Sequence, residues 1–328
     1  MRQTLQALTR DDSQVIKGIA VLLMILHHVL IPEFYVKPWS QLSNVVFVHL
    51  MSCAKLCVGI FAFITAYGYA FAKQKDLNYS LRHIVRLLKT YWPICILTVI
   101  LSALWFRQFD LNVVILNLFG LSKEYNCANH YVLFYFFAML ILPFVAKLID
   151  SYRATAVVAI ILICALICFL LNFIMGHWVA HLYYCLFYSP VLAVGYYFGK
   201  YDWAKVKHDF SSLELLVVLA FGLLLSAMFH NIMGFCIYTV ATPMVVFPIV
   251  ALFKRIQVPH LYGFLKRIGQ VSVYMWFIHA IFFSSKTRSI FQEQWYWPDN
   301  IVVVMLSVTL ISYLVSVLIM TAKRRLGV

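Results

Sequence analysis

Charged residues are scarce in this chain, and acidic residues are the scarcest of them. Asp, Glu, Lys and Arg make up 12% of its 328 residues, and only 12 residues are Asp or Glu. Soluble domains carry about 25% charged residues, so this composition excludes a water-soluble fold. Apolar residues are abundant instead: 64% of the chain is hydrophobic and 17% is aromatic. We therefore predict an all-α polytopic integral membrane protein.

Paired cysteine spacings are also missing. The eight cysteines include no C-x-x-C pair and no Cys/His zinc spacing. Such spacings are typical of zinc sites and redox dithiols. We therefore predict buried thiols that fill space between helices, and no metal site. The sequence shows no internal repeat, low-complexity stretch or fused soluble domain, so we predict a single membrane domain over residues 1–328.

Long apolar runs account for most of the chain. A helix needs about 20 mostly apolar residues to cross a bilayer. About ten segments meet this requirement: 15–31, 44–72, 90–106, 128–149, 154–174, 178–199, 211–230, 232–253, 268–284 and 300–322. The stretch 110–121 is too short to span, so we predict that it lies at the interface or re-enters the membrane.

Basic residues are distributed unevenly among the loops. With the N-terminus inside, the cytoplasmic side receives twenty Lys and Arg residues and the outside receives five. Because cytoplasmic loops are enriched in Lys and Arg, we predict that both termini are cytoplasmic. The formal net charge of +14 then reflects orientation and attraction to anionic lipid headgroups, not nucleic-acid binding. We expect a multi-pass membrane protein.

Two adjacent histidines, His27 and His28, lie near the end of the first predicted span. At about 100° per residue, Lys17 and His28 share nearly the same helix face, whereas His27 is turned about 100° away. An ionisable side chain at this depth indicates a functional site. The alternative is a neutral histidine that hydrogen-bonds to a neighbouring helix. The spacing alone leaves both interpretations open.

Five segments, in the same order along the chain, resemble motifs of the membrane acyltransferase 3 family. They are Lys17 followed by ten residues and His28, VGIFAFITAYGYAFAK from Val58, LRHIVRLLKTYWP from Leu81, NHYVLFYFFAMLILPFVAKL from Asn129, and IGQVSVYMWFIHAIF from Ile268. The resemblance covers nearly the whole chain, and the predicted ten spans agree with it.

This resemblance implies an enzyme that transfers an acyl group, most often acetyl from acetyl-CoA, to a hydroxyl of a carbohydrate such as a capsular or exopolysaccharide unit. His28 would be the general base, because histidine titrates near neutral pH, or it would carry the acyl group itself in a two-step route. The resemblance also implies the bacterial cytoplasmic membrane as the location. The CoA phosphates would be held by basic side chains, namely Lys17, Arg82, Arg86 and Lys89. Further candidates for the donor or acceptor site are His27, Lys55, Tyr67, His130, Tyr274 and His279.

Some of these features have alternative explanations. The basic stretch around Arg86 is also explained by orientation in the membrane alone. Lys55 either extends to the interface or lies in an acceptor cavity. A transporter or flippase would use a similar bundle, but proton-coupled transporters place carboxylates within the membrane, and the acidic residues here lie in loops or near span ends. A lipid-linked glycan polymerase is expected to have larger outer loops than those predicted here.

Overall fold

The computed structural model describes residues 3–4, 7–37, 40–107, 109–174, 177–201, 209–230, 232, 234–293 and 300–326. Within these ranges the helices are α1 (Arg10–Val29), α2 (Val45–Ala54), α3 (Leu56–Ala70), α4 (Leu77–Phe106), α5 (Leu111–Leu118), α6 (His130–Leu171), α7 (His177–Lys200), α8 (Ser212–Phe229), α9 (Tyr238–Ile256), α10 (Pro259–Gln270), α11 (Ser272–Ile278), α12 (Arg288–Gln292) and α13 (Ile301–Leu326). The same ranges contain the 3-10 turns η1 (Pro32–Phe34), η2 (Ser40–Ser43) and η3 (His279–Phe282). The short strand β1 (Gln3–Thr4) pairs antiparallel with β2 (Asp209–Phe210).

Helices of membrane-spanning length dominate the described part of the chain. Eight segments there are long and apolar enough to cross a membrane: α1, α2 with α3, α4, α6, α7, α8, α9 and α13. Large apolar side chains such as Leu104 and Leu318 are exposed on them, as expected of surfaces that face lipid. The predicted multi-pass α-helical membrane protein is therefore confirmed. The count of ten spans and the side of each terminus stay predictions.

Helix α6 covers two of the predicted spans, 128–149 and 154–174. Its 42 residues correspond to about 63 Å at 1.5 Å per residue, about twice the thickness of the hydrocarbon core. Arg153 has φ 51° and ψ −130°, which are not helical values, so α6 consists of two helical arms that meet there. Each arm corresponds to one predicted span.

Helix α4 begins earlier than predicted. We predicted a span at 90–106, but α4 begins at Leu77 and continues through Pro93. The early start has a local cause, because the Asp76 carboxylate accepts a hydrogen bond from the Tyr79 backbone N–H at 2.8 Å and caps the helix. The basic stretch therefore forms the first turns of α4 itself.

The ninth predicted span, 268–284, is interrupted. Helix α10 ends at Gln270, and Val271 has φ −107° and ψ 6°, outside the helical range. Helix α11 and η3 then cover Ser272–Phe282, which is too short to cross a bilayer alone. This segment packs against α1, α4 and α13, so its residues lie inside the bundle.

Helices α1 and α10 contact each other through their backbones. A Cβ on Gly18 would collide with the Leu265 carbonyl oxygen, and a Cβ on Gly269 would collide with the Gln14 carbonyl oxygen. Glycine permits such a close approach because it has no side chain. The contact holds the first turns of α1 against the start of α11.

Helix α3 lies at the centre of the bundle. Nearly all of its side chains are buried, and it packs against α1, α7 and α9. A helix that is apolar on every side is expected in such an interior position. Lys55, which is half-buried, lies at the break between α2 and α3.

Candidate active site

A cavity of about 560 Å³ opens between α1, α4, α11 and the end of α13. Four cationic side chains line it, and we call it the basic cavity: Lys17, Arg86, Lys89 and Lys323. No acidic side chain is among the described residues that line it. A cavity lined by one sign of charge attracts ligands of the opposite sign. The basic cavity therefore suits a polyanion such as a nucleotide with several phosphates.

Three of the four basic residues predicted to hold phosphates meet in this cavity. Arg86 and Lys89 are three residues apart on α4, so they share a helix face, and Lys17 lies opposite them on α1. Arg82 does not line the cavity, so its predicted contact with phosphate stays a prediction. It is exposed, and its Nη2 donates a hydrogen bond to Gln74 Oε1 at 2.9 Å.

Two further residues of the basic cavity come from distant parts of the chain. Tyr274 on α11 lines the cavity, as the prediction of a donor or acceptor role requires. Lys323 also lines it but was missed, because the sequence offered only its position after the last span, which topology explains equally well. Its cationic side chain at the end of an apolar helix was the single available signal.

Three aromatic rings separate the basic cavity from a second cavity. Tyr131 and Trp276 line both cavities, and their ring centroids lie 4.3 Å apart. Phe61 contacts Trp276 edge to face, with centroids 4.6 Å apart. We call these three rings the aromatic septum. These rings contact one another, so a ligand that occupies both cavities must displace at least one of them.

The second cavity, of about 300 Å³, is lined by His27 and His28, and we call it the histidine cavity. His28 Nδ1 lies 2.6 Å from His279 Nε2, and the two rings stack with centroids 4.8 Å apart. His279 Nδ1 lies 3.1 Å from the Met275 carbonyl oxygen.

These contacts determine where the protons lie in the neutral histidine pair. A carbonyl oxygen only accepts hydrogen bonds, so His279 Nδ1 carries a proton and donates it to Met275. His279 Nε2 is then an acceptor, and His28 Nδ1–H must be its donor. The remaining nitrogen of His28, Nε2, is unprotonated. It is available to take a proton from a ligand in the cavity.

His27 makes a different contact. Its Nδ1 donates to the Met51 carbonyl oxygen at 2.9 Å and so links α1 to α2. We expected His27 to be turned away from the His28 face, yet the histidine cavity is wide enough for both rings to line it. The hydrogen bond to Met51 is a structural contact, while His28 alone bonds to His279.

Cys127 also approaches His28. Its Sγ lies 3.9 Å from His28 Nδ1 and 3.7 Å from the Ala280 carbonyl oxygen. Burial raises the pKa of the Cys127 thiol to about 12, so it stays a protonated thiol at neutral pH. A nucleophilic cysteine would need the thiolate. Within the described ranges, no three His, Cys, Asp or Glu side chains are grouped to hold a metal ion.

A third cavity, of about 470 Å³, adjoins the loop between α5 and α6, and we call it the loop cavity. Lys123, His130 and Tyr184 line both this cavity and the histidine cavity. His181 lies on its wall, with Nε2 3.3 Å from the Leu121 carbonyl oxygen. The loop cavity therefore adjoins the histidine cavity at these three side chains, none of which belongs to the aromatic septum.

The two remaining candidates are placed differently by the structure. Lys55 lines the histidine cavity, which agrees with the acceptor-cavity alternative. Tyr67 lines none of the three cavities, so its predicted place in the site stays a prediction. Its hydroxyl accepts a hydrogen bond from the Leu8 backbone N–H at 3.0 Å, so Tyr67 holds the segment before α1.

Most of the residues that line these cavities lie within the match to a known protein family. A family model described as an acyltransferase domain, that of the membrane acyltransferase 3 family, matches residues 11–320. The chain belongs to this family. The comparisons with curated proteins and with solved structures gave no match. In this acyltransferase the match includes the aromatic septum and every described residue of the histidine and loop cavities, and Lys323 lies just beyond it.

Proposed function

We propose that this acyltransferase transfers an acetyl group from cytosolic acetyl-CoA to a hydroxyl of an extracytoplasmic or lipid-linked carbohydrate, such as a capsular or exopolysaccharide unit. Its place would be the bacterial cytoplasmic membrane. The observation that carries the proposal is the His28–His279 hydrogen bond, which leaves His28 Nε2 as a base in a cavity with a separate access on either side.

The basic cavity suits the CoA end of the donor. Its four cations match the several phosphates of CoA, and charge-assisted contacts to phosphate are among the stronger hydrogen bonds in proteins. Lys17 and His28 are about 16 Å apart along α1 at 1.5 Å per residue. A long, thin pantetheine arm can cover that distance through the aromatic septum and bring the thioester to His28.

The residues of the histidine cavity support direct transfer. His28 Nε2 takes the proton of the carbohydrate hydroxyl while its oxygen attacks the thioester carbonyl carbon. The carbon–sulfur bond then breaks, CoA leaves as a thiolate, and His28 returns the proton to that sulfur. The product is an acetyl ester, and His28 is neutral again. His279 positions the base throughout by accepting the hydrogen bond of His28 Nδ1–H.

The loop cavity suits the acceptor, because it reaches His28 without crossing the aromatic septum. Tyr184 offers an aromatic face for a sugar ring, and Lys123 and His130 offer polar groups. A transporter or flippase, the alternative function, would carry its substrate past the septum. Family membership favours acyl transfer, and so does the unprotonated Nε2 of His28, which can act as a base.

The test is acetyl transfer from labelled acetyl-CoA to a glycan extract by membranes that contain the protein. General-base assistance is worth roughly 10²- to 10⁴-fold in rate, so His28→Ala should reduce transfer by that factor or to background while insertion is unchanged. His27→Ala is the matched control on the adjacent position and should retain a measurable fraction of activity. Lys17→Arg should be tolerated because the cation remains. Full activity in both histidine variants would refute the proposed function.

A further inference from the structure

One lysine that lines the histidine cavity has no counter-ion among the described residues. Lys55 is half-buried at the break between α2 and α3, and it has no hydrogen bond or ion pair from its side chain within the described part of the chain. No Asp or Glu is among the described residues that line this cavity. Partial withdrawal of a cation from water has a cost in free energy, and a nearby anion offsets that cost.

A second lysine continues the positive charge toward the loop cavity. Lys123 lines both cavities and has no ion-pair partner among the described residues. The one carboxylate on the wall of the loop cavity, Glu124, pairs instead with Lys286 at 3.3 Å. Among the described residues, the histidine and loop cavities are therefore lined by two lysines without a counter-ion.

The missing anion is not expected to come from the CoA phosphates. These would lie in the basic cavity, which has four cations of its own and is separated from Lys55 by the aromatic septum. Lys55 and Lys123 lie instead along the route from the loop cavity. Charge complementarity of this kind commonly selects a partner.

We propose that the acceptor is an anionic carbohydrate, whose carboxylate or phosphate pairs with Lys55 while a nearby hydroxyl meets His28. This inference rests on the proposed function and narrows its acceptor class. Lys123 would guide the anion inward and contribute less, because its side chain is exposed and surface charges are screened. A neutral sugar would leave Lys55 without its counter-ion.

The experiment compares three preparations of one glycan extract from cells that produce the protein. The first is untreated, the second has its carboxylates reduced to alcohols, and the third has its phosphates removed. Loss of a hydrogen bond between charged groups should lower the rate of acetyl transfer about 10- to 100-fold. We expect one treatment to lower acetyl transfer from labelled acetyl-CoA by that factor, and the affected treatment identifies the anion. Unchanged rates with both preparations would overturn the inference.

Substitutions of Lys55 show whether this discrimination belongs to the site. The Lys55→Met side chain is close in length to lysine but neutral, so this variant should acetylate untreated and treated extracts at similar rates. Lys55→Arg should retain the wild-type ratio, which is the rate with untreated extract divided by the rate with the affected treated extract. Lys37→Met, on an exposed lysine outside the three cavities, is the matched control and should behave as wild type. If Lys55→Met fails to fold, Lys123→Met takes its place and should reduce the ratio by a few fold; an unchanged ratio there would overturn the inference.

The outcomes separate this inference from the proposed function. If Lys55→Met slows transfer equally with all three extracts, Lys55 stabilises the reaction itself and the anionic acceptor is refuted. If the wild-type protein acetylates none of the extracts, including the untreated one, the proposed function fails. Transfer to all extracts at one rate would leave the proposed function standing and the acceptor neutral.

Discussion

Replacing His279 by phenylalanine tests the proton positions in the histidine pair. The substitution keeps an aromatic ring in the fully buried position but removes the acceptor of the 2.6 Å hydrogen bond from His28 Nδ1. His28 then loses the contact that holds its proton on Nδ1. An unpaired buried donor costs about 1–3 kcal/mol, so the tautomer with the proton on Nε2, which cannot act as the base, gains by that amount.

This energy converts directly into a rate. With tenfold per 1.36 kcal/mol, a cost of about 1–3 kcal/mol lowers the ratio of the basic tautomer to the other tautomer by about 5- to 150-fold, and kcat falls by at most that factor. KM for acetyl-CoA should change little, because the phosphates are assigned to the basic cavity beyond the aromatic septum. The measurement is steady-state acetyl transfer by purified protein in lipid nanodiscs, with acetyl-CoA and glycan varied separately.

The matched variant is His279→Gln. Its side-chain oxygen can occupy the place of Nε2 and accept the hydrogen bond from His28, so we expect kcat within a few fold of wild type. The reasoning is refuted if His279→Phe has wild-type kcat, or if His279→Gln is as slow as His279→Phe. A rise in KM without a change in kcat would also refute it, since it would indicate a role in binding.

Further predictions concern the basic cavity and the helix contact. Arg86→Ala should weaken acetyl-CoA binding about 10- to 100-fold, measured by isothermal titration calorimetry, because a charge-assisted contact is lost. Arg82→Ala should bind acetyl-CoA as the wild type does. Equal effects of the two substitutions would contradict the assignment of the phosphates to the basic cavity. Gly269→Val should reduce the yield of monodisperse protein in size-exclusion chromatography, since its side chain would collide with the backbone of α1. Gly263→Ala, where an added Cβ meets nothing within 4 Å, should not, and a normal yield for Gly269→Val would show that the helices separate easily.

The membrane class and most helices follow from local properties of the sequence. Apolar composition and run length require helices that cross a bilayer, because backbone groups in lipid must pair within their own segment. The relation between Lys17 and His28 is equally local, since both lie on one regular helix and their spacing determines their relative positions. The helix start at Leu77 was missed although its cap, Asp76, was visible in the sequence.

The residues that surround His28 depend on contacts far apart in the chain. His279 is 251 positions away, and nothing in its local sequence shows that it would meet His28 rather than hydrogen-bond elsewhere. Arg82 and Tyr67 are similar in type to residues that do line the cavities. Which side chains face a cavity depends on how the helices rotate and approach one another, and motif position does not determine this.

The sequence by itself therefore determined that this protein lies in a membrane, approximately where its helices run, which family it resembles, and that His28 is the candidate base. Only the tertiary structure decided the partner of that histidine, the neutral tautomer that this partner selects, and the cavities that adjoin it in the described part of the chain. The physical reason is that helices form through hydrogen bonds between residues four positions apart, whereas cavities form where helix faces meet. That meeting is set by backbone contacts such as those of Gly18 and Gly269, which bring distant segments together.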